Sequence, residues 1–357
     1  MMFGRVALFS EGIGGIEMRV ARLKESGKRA CYHIMSRVVD RQMVLGSQEK
    51  EKFRKLMRQV EGFSGVRVLT YAILDNHFHI LAEVPEPQSI SDKELLHRLS
   101  FLYPADQVAR IAEWIKTARD AGEDENAERI RARYTARMYD LSEFVKTLKQ
   151  RYTQWHNKRH NRKGTLWEER FKSVLLEPTR ANKGQSDNAL LTIAAYIDLN
   201  AVRAGIVRDP KAYRYCGYGE ACGGSKEARA GIAGIFTNYG AKESNWKTIG
   251  GLYRQQIYCR GEQRERKAGF SREQVQAVLA SEGKLSMADA LHCRVRYFSD
   301  GVALGSKAFV EDVFQRNRDQ FGLKRRSGAR PLRHTDTGDL CTMRDLRLDA
   351  IHPPQAA

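Results

Sequence analysis

Val66-Arg67-Val68-Leu69-Thr70-Tyr71-Ala72-Ile73-Leu74, then Asp75-Asn76, then His77-Phe78-His79-Ile80-Leu81-Ala82-Glu83-Val84: two apolar runs meet at a short polar turn. The pattern predicts a β-hairpin. Successive side chains on a strand point to opposite faces, so His77 and His79 share one face while Phe78 and Ile80 anchor the other in a core. Two imidazoles one strand repeat apart can reach one divalent cation, and a strand holds them rigidly enough for metal-assisted chemistry.

Working outward, Cys31 to Val38 reads as a strand. Ser47 then opens a helix with Phe53, Leu56, Met57 and Val60 on one face, and Gly62 to Gly65 breaks it. After the hairpin, a charged insertion over 85–139 carries helical stretches near Val108–Ala118 and Ala127–Met138. A helix from about Ser142 to Trp155 places Phe144, Leu148, Tyr152 and Trp155 on one face, and Phe171 to Leu176 reads as a strand. Asp187 to Ala204 reads as a helix that stops at Gly205. The order β-α-β-β-α-β with a trailing helix predicts an α+β fold, a ferredoxin-like antiparallel sheet with helices. This first unit is expected to span 1–218. A glycine-rich stretch over 219–244 reads as a linker. Residues 245–326 read as a smaller, mainly helical accessory unit that is expected to add DNA binding, with helices expected at Ser271–Ser281 and Ser306–Arg316. Residues 327–357 read as a flexible tail.

Across 357 residues, 61 Lys+Arg against 43 Asp+Glu leave a net charge of +18. Such an excess favours a polyanionic partner, because basic side chains displace counterions from phosphates. The total by itself does not choose between nucleic acid, ribosome and membrane surface. No apolar run approaches the roughly 20 residues of a membrane helix. Met1 to Ile16 is interrupted by Glu11 and four glycines and does not read as a signal peptide. The six cysteines form no C-x-x-C pair, which suits reduced thiols in a cytoplasmic, nucleoid-associated protein.

Two further groups carry chemistry. Tyr196 and Asn200 are four apart, hence one turn apart on one helical face. Tyr196 offers a hydroxyl nucleophile and Asn200 a carbonyl oxygen as third metal ligand. With His77 and His79 this makes a mixed N/O set suited to Mg²⁺ or Mn²⁺. The other readings are an ordinary amphipathic-helix tyrosine at Tyr196 and a helix-capping amide at Asn200. The second group is a basic stretch: Lys146, Lys149, Arg151, Lys158, Arg159, Arg162, Lys163, Arg170 and Lys172, interleaved with Tyr152, Trp155, Trp167 and Phe171. Cations that track a backbone, mixed with rings on which bases stack, suit single-stranded or hairpin DNA. Trp167 is expected to pack on the sheet, His33 to be a core or edge histidine, and His156 and His160 to sit among solvated cations. Tyr152 competes with Tyr196 as nucleophile, although its apolar spacing favours packing.

Four segments together resemble the single-tyrosine HUH transposases of bacterial insertion sequences, in particular their REP-associated relatives. They are Tyr32-His33-Ile34-Met35-Ser36-Arg37; Asn76 to Leu81; Gly164-Thr165-Leu166-Trp167-Glu168-Glu169-Arg170-Phe171-Lys172; and Tyr196-Ile197-Asp198-Leu199-Asn200-Ala201-Val202-Arg203-Ala204-Gly205. The resemblance runs from about residue 18 to 218. It implies cleavage and rejoining of single-stranded DNA through a 5′-phosphotyrosine, with Tyr196 as nucleophile and His77, His79 and Asn200 as ligands of a divalent metal. A phenol with an ordinary pKa of about 10 is a poor nucleophile at neutral pH, so charge neutralisation by a metal and nearby cations fits. A phosphotyrosine also keeps the phosphoester energy, in keeping with the lack of a G-x-x-x-x-G-K-[ST] loop. Relatives commonly have proline where this chain has Ala201, a change that continues the helix more easily. Some act as dimers, the tyrosine reaching the partner's histidines, and others as monomers. A non-catalytic regulator that binds repeated hairpins, and a nuclease that uses water, are the competing readings.

Overall fold

The structure, a computed structural model, describes residues 23–25, 27–179, 188–236, 246–259, 285–286, 301–322, 325–332, 335–336 and 340–343. Its centre is the predicted hairpin, β2 (Arg67–Ile73) and β3 (His77–Val84), beside β1 (Ala30–Arg37). β1 pairs antiparallel with β3, with Arg37 opposite His77, Met35 opposite His79 and His33 opposite Leu81. On its other side β1 pairs antiparallel with β4 (Lys172–Leu176), His33 facing Val174. The order β2-β3-β1-β4 is that of the ferredoxin-like sheet, and the α+β expectation holds.

The strand period of two sorts the side chains into two cores. Tyr32, Ile34, Phe78 and Ile80 face α1 (Ser47–Ser64) and α5 (Leu141–Arg159), meeting Phe53, Met57, Phe144, Leu148 and Tyr152. Cys31, Met35 and Leu81 face the opposite way, toward α6 (Ala189–Asp198), with Leu190, Ile193 and Ile197. The helix α1 ends where Gly65 adopts φ 73°, and so runs through Gly62, where the sequence predicts the break to begin. A Cβ at Gly62 would lie 2.8 Å from the Phe101 ring, so its absence lets the insertion dock. That insertion is helical, with α2 (Asp92–Ser100), α3 (Ala105–Asp120) and α4 (Asp124–Thr135), and Leu95, Leu99, Ile111 and Ile115 join the first core.

Past residue 198 the chain turns into the short α7 (Asn200–Arg203), then α8 (Gly217–Cys222) and α9 (Lys226–Ala233). Residues 219–236, which by composition read as the start of a linker, thus form helices packed on the edge of β2. A Cβ on Gly231 would sit 2.4 Å from the Val68 carbonyl oxygen, so these glycines serve close approach rather than flexibility. Of the expected accessory unit, α10 (Trp246–Cys259) and α11 (Lys307–Arg316) are described, the latter capped by the Ser306 side chain. Ser271–Ser281 lies outside the described residues. Strands also occur here: β6 (Ala303–Ser306) pairs parallel with β4, and β7 (Arg330–Pro331) and β9 (Leu340–Met343) complete a seven-stranded sheet. Two short strands, β5 (Leu285–Ser286) and β8 (Thr335–Asp336), pair separately. The expected tail therefore contributes β7, β8 and β9.

Glu220 ties the added helices to the core. Its carboxylate accepts from Arg54 Nη1 at 2.7 Å, Arg58 Nη2 at 2.8 Å and Tyr71 Oη at 2.8 Å, joining α8 to α1 and β2. Burial raises its carboxyl, but Arg58, Tyr71 and Arg54 outweigh this and hold it below the ordinary 4.5. Glu220→Gln leaves two guanidinium groups short of a buried counter-charge and is expected to cost about 2–3 kcal/mol. Because the folded pKa is depressed, this contribution is present above pH 4.5 and is lost as pH falls below it. Urea unfolding of both proteins at pH 7 and in the acid range checks this: the gap should close on acidification.

Candidate active site

The Asp75-Asn76 turn is fastened before it delivers a histidine. Val38 N donates to Asn76 O at 2.8 Å, Asn76 Nδ2 donates to Arg41 O at 2.9 Å, and Lys50 Nζ meets Asp75 Oδ1 at 2.5 Å. His77 Nδ1 donates to Asn76 Oδ1 at 2.6 Å. His79, one strand repeat on, has its Nδ1 2.9 Å from Nε2 of His33. Both rings thus have Nδ1 engaged by a protein atom, an arrangement that orients metal-binding imidazoles, and Nε2 is the nitrogen each would offer to a cation. Their centroids are 5.2 Å apart with the planes nearly perpendicular. Burial, with His33, His77, Arg203 and Arg37 adding, holds His79 well below the usual imidazole range. It is therefore neutral at physiological pH, the state in which an imidazole keeps a lone pair for metal.

The late helix converges on this pair. Tyr196 projects from α6 toward β1 and β3, its ring edge-on to His33 at 5.8 Å and to His79 at 5.9 Å between centroids. The helix forms because Asn188 caps it, its side chain accepting from Leu191 N at 3.0 Å, and because the residues that follow are nearly all apolar and buried. The predicted single helix over Asp187–Ala204 is instead two, joined at Leu199. Asn200 stays one turn from Tyr196, donating Nδ2 to the Tyr196 carbonyl at 3.3 Å. Its amide nitrogen faces the backbone, so a cation would draw on its oxygen. Among the described residues no three His, Cys, Asp or Glu side chains are grouped for a metal. The donors fit an ion with few protein ligands that completes its shell with oxygens, as Mg²⁺ and Mn²⁺ do, and not a closed zinc site.

Three residues complete the site without having been singled out for it. His33, expected as a core or edge histidine, is fully buried but in contact with both His79 and Tyr196. It lies diagonally across from His79 because Leu81 is its direct partner, a relation visible only once the β1–β3 register is known. Arg203 lays its guanidinium over the Tyr196 ring, 4.0 Å from the centroid, and donates to the Tyr196 carbonyl at 2.8 Å. Arg37, exposed, stands opposite His77.

The basic stretch borders a groove of about 740 Å³ between α5 and residues 165–171, lined by Lys146, Lys149, Gln154, Asn157, Trp167 and Arg170 among others. Lys146, Lys158, Arg159, Lys163, Arg170 and Lys172 are exposed. Lys149 donates to Ser36 Oγ and to the Glu169 carbonyl, both at 2.9 Å, and Arg151 lies over the Tyr103 ring, so these two are partly committed to packing. Arg162 is half-buried. Phe171, which lines the groove, immediately precedes Lys172 of β4; Lys172 pairs with Met35 of β1, the strand whose Arg37 stands opposite His77. Tyr152 is fully buried among Phe53, Trp155 and Trp167, which removes it as a competing nucleophile. Trp167 packs on Phe53 and Phe78, as expected. His156 departs from expectation: it is buried, because the inner face of α5 continues one turn past Tyr152. His160 is exposed but meets Glu49 Oε1 at 3.1 Å.

Among known proteins, a solved structure of a REP-associated tyrosine transposase bound to a REP hairpin is similar at a TM-score of 0.34 and 13% identity, over 57% of this chain and 83% of that one. No curated protein sequence matched. Residues 27–103 match the family described as transposase IS200 like; that span carries His33, His77 and His79, while Tyr196 and Asn200 fall beyond it. The resemblance is thereby borne out over residues 27–103, which match IS200-like transposases and hold the first two of its four segments, Tyr32–Arg37 and Asn76–Leu81.

Proposed function

We propose that the chain is a metal-dependent, single-tyrosine transposase that nicks and rejoins single-stranded DNA carrying a hairpin. The carrying observation is that one chain brings the Tyr196 ring against His79 and His33. In this reading Tyr196 Oη attacks phosphorus, the bond from phosphorus to the 3′ oxygen breaks, and the chain holds a 5′-phosphotyrosine. The phenol gives up its proton and the departing 3′ oxygen takes one up, so the step is proton-neutral and its reversal rejoins DNA without ATP. His77, His79 and Asn200 would hold Mg²⁺ or Mn²⁺, which when bound polarises the scissile phosphate. Arg203, held over the Tyr196 ring, supplies positive charge beside the nucleophile, and Arg37 adds charge opposite His77, where charge builds up on the phosphate.

The site is proposed to close within one protomer. The outer edge of β2, where a second sheet could add, is taken up by this chain: Ile73 N donates to Tyr215 O at 2.9 Å, and Tyr213 Oη donates to Ile73 O at 2.6 Å. The partner is DNA, and the place of work is the cytoplasm at the nucleoid; no described helix is long and apolar enough to cross a membrane.

The test is incubation with single-stranded DNA from the gene's own flanks and Mn²⁺ or Mg²⁺, followed by a denaturing gel. A protein-linked fragment is expected from the wild type. The groove has its own consequence. Alanine at Lys146, Arg170 and Lys172 together should weaken hairpin binding about tenfold at moderate salt. It should also flatten the slope of log affinity against log salt by about 0.7 for each phosphate left without its cation. Fluorescence anisotropy across a salt series reads both, and an unchanged slope would remove the groove from the DNA path.

A further inference from the structure

Asp198, two residues past Tyr196, points away from the histidines and is fully buried. Its carboxylate accepts from Thr70 Oγ1 of β2 at 2.9 Å, the Tyr218 backbone N–H of α8 at 3.0 Å and Tyr253 Oη of α10 at 2.5 Å. Four elements therefore meet on one carboxyl group. It is a costly choice for stability alone. A buried carboxylate forfeits its hydration, and Asp198 is the last residue of α6, where the helix dipole disfavours negative charge. An apolar side chain could fill the space; only a multivalent acceptor fixes the orientation of three donors. The position matters because the helix axis breaks just after it, at Leu199, and the next turn sends Asn200 and Arg203 back to the Tyr196 carbonyl.

We propose that Asp198 is the positioning residue for Tyr196, and that Tyr253 is the group through which α10, far outside the 27–103 family match, holds the nucleophile helix in register. This rests on the nucleophilic role given to Tyr196 above. It assigns the C-terminal part of the chain a share in the chemistry itself and not only in DNA contact. Displacement of a reacting group by about 1 Å can cost about 100-fold in rate, so loss of the anchor should be read in the chemical step.

The experiment uses the full chain with Asp198→Asn and Tyr253→Phe, each carrying 3-fluorotyrosine, the Tyr196 resonance being assigned by its loss in Tyr196→Phe. Single-turnover adduct formation is expected to fall about tenfold or more in Asp198→Asn and about threefold or more in Tyr253→Phe. Hairpin affinity should stay within about twofold and the Tyr196 fluorine resonance should move. Adduct rates within twofold of wild type in both variants would overturn the proposal, as would a loss of hairpin affinity equal to the loss of rate. Should Asp198→Asn fail to fold, Tyr253→Phe, which deletes a single oxygen, decides. If the wild type forms no adduct, the transposase reading fails on its own, and the anchoring is judged by the fluorine resonance, an unmoved signal refuting it.

Discussion

Tyr196→Phe is expected to abolish the protein-linked DNA fragment, a loss of at least about 10³-fold, while hairpin affinity changes by less than about twofold. The substitution removes one oxygen and keeps the ring that packs edge-on against His33 and His79 and beneath Arg203, so the fold has no reason to change. Tyr152, the competing phenol, cannot take over the attack: it is sealed in the core on the other face of the sheet. Thermal unfolding, anisotropy with a labelled hairpin and a denaturing gel separate the three readings. Cleavage that survives Tyr196→Phe but stops in His77→Ala identifies a nuclease using water. A wild type that binds the hairpin with Mn²⁺ present yet never forms an adduct identifies a regulator.

Periodicity made the first half of the chain legible. Alternation in Val66–Val84 gave the hairpin, and with it the face shared by His77 and His79, because a strand's period of two leaves no other arrangement. Spacing of four gave Tyr196 and Asn200 one face, and that survived even the break at Leu199. His33 was not legible as a site residue: its neighbour His79 is 46 positions away, and only the register of β1 against β3 brings the two rings together. The glycines after Tyr218 misled for another reason. Composition cannot tell a glycine that loosens a chain from one that admits a backbone, and Gly219 and Gly231 are of the second kind, with carbonyl oxygens at 2.1 and 2.4 Å from where a Cβ would stand. The described strands from 303 onward are four residues or fewer, too short to show alternation, and the pairing of β6 with β4, through which β9 and β7 join the sheet, is a tertiary fact.

His77→Ala and His79→Ala are expected to stop metal-dependent cleavage alike, by at least about 10²–10³-fold, but to differ in what they do to the protein. His77 is half-exposed at the mouth of the hairpin and bonded to its own turn, so its loss should leave unfolding within about 0.5 kcal/mol of wild type. His79 is buried, and its removal opens a cavity and takes away the hydrogen bond to Nε2 of the buried His33, so about 1–3 kcal/mol of stability should go with it. Excess Mn²⁺ should partly restore His77→Ala, where His79, Asn200 and phosphate oxygens still offer ligands, and should do nothing for Tyr196→Phe. Single-turnover rates against Mn²⁺ concentration, set beside urea unfolding of each apo variant, make the comparison. If His77→Ala cleaves at the wild-type rate in the presence of a chelator, the imidazole pair is not a metal site, and His79 and His33 are a buried hydrogen bond that happens to lie beneath the nucleophile.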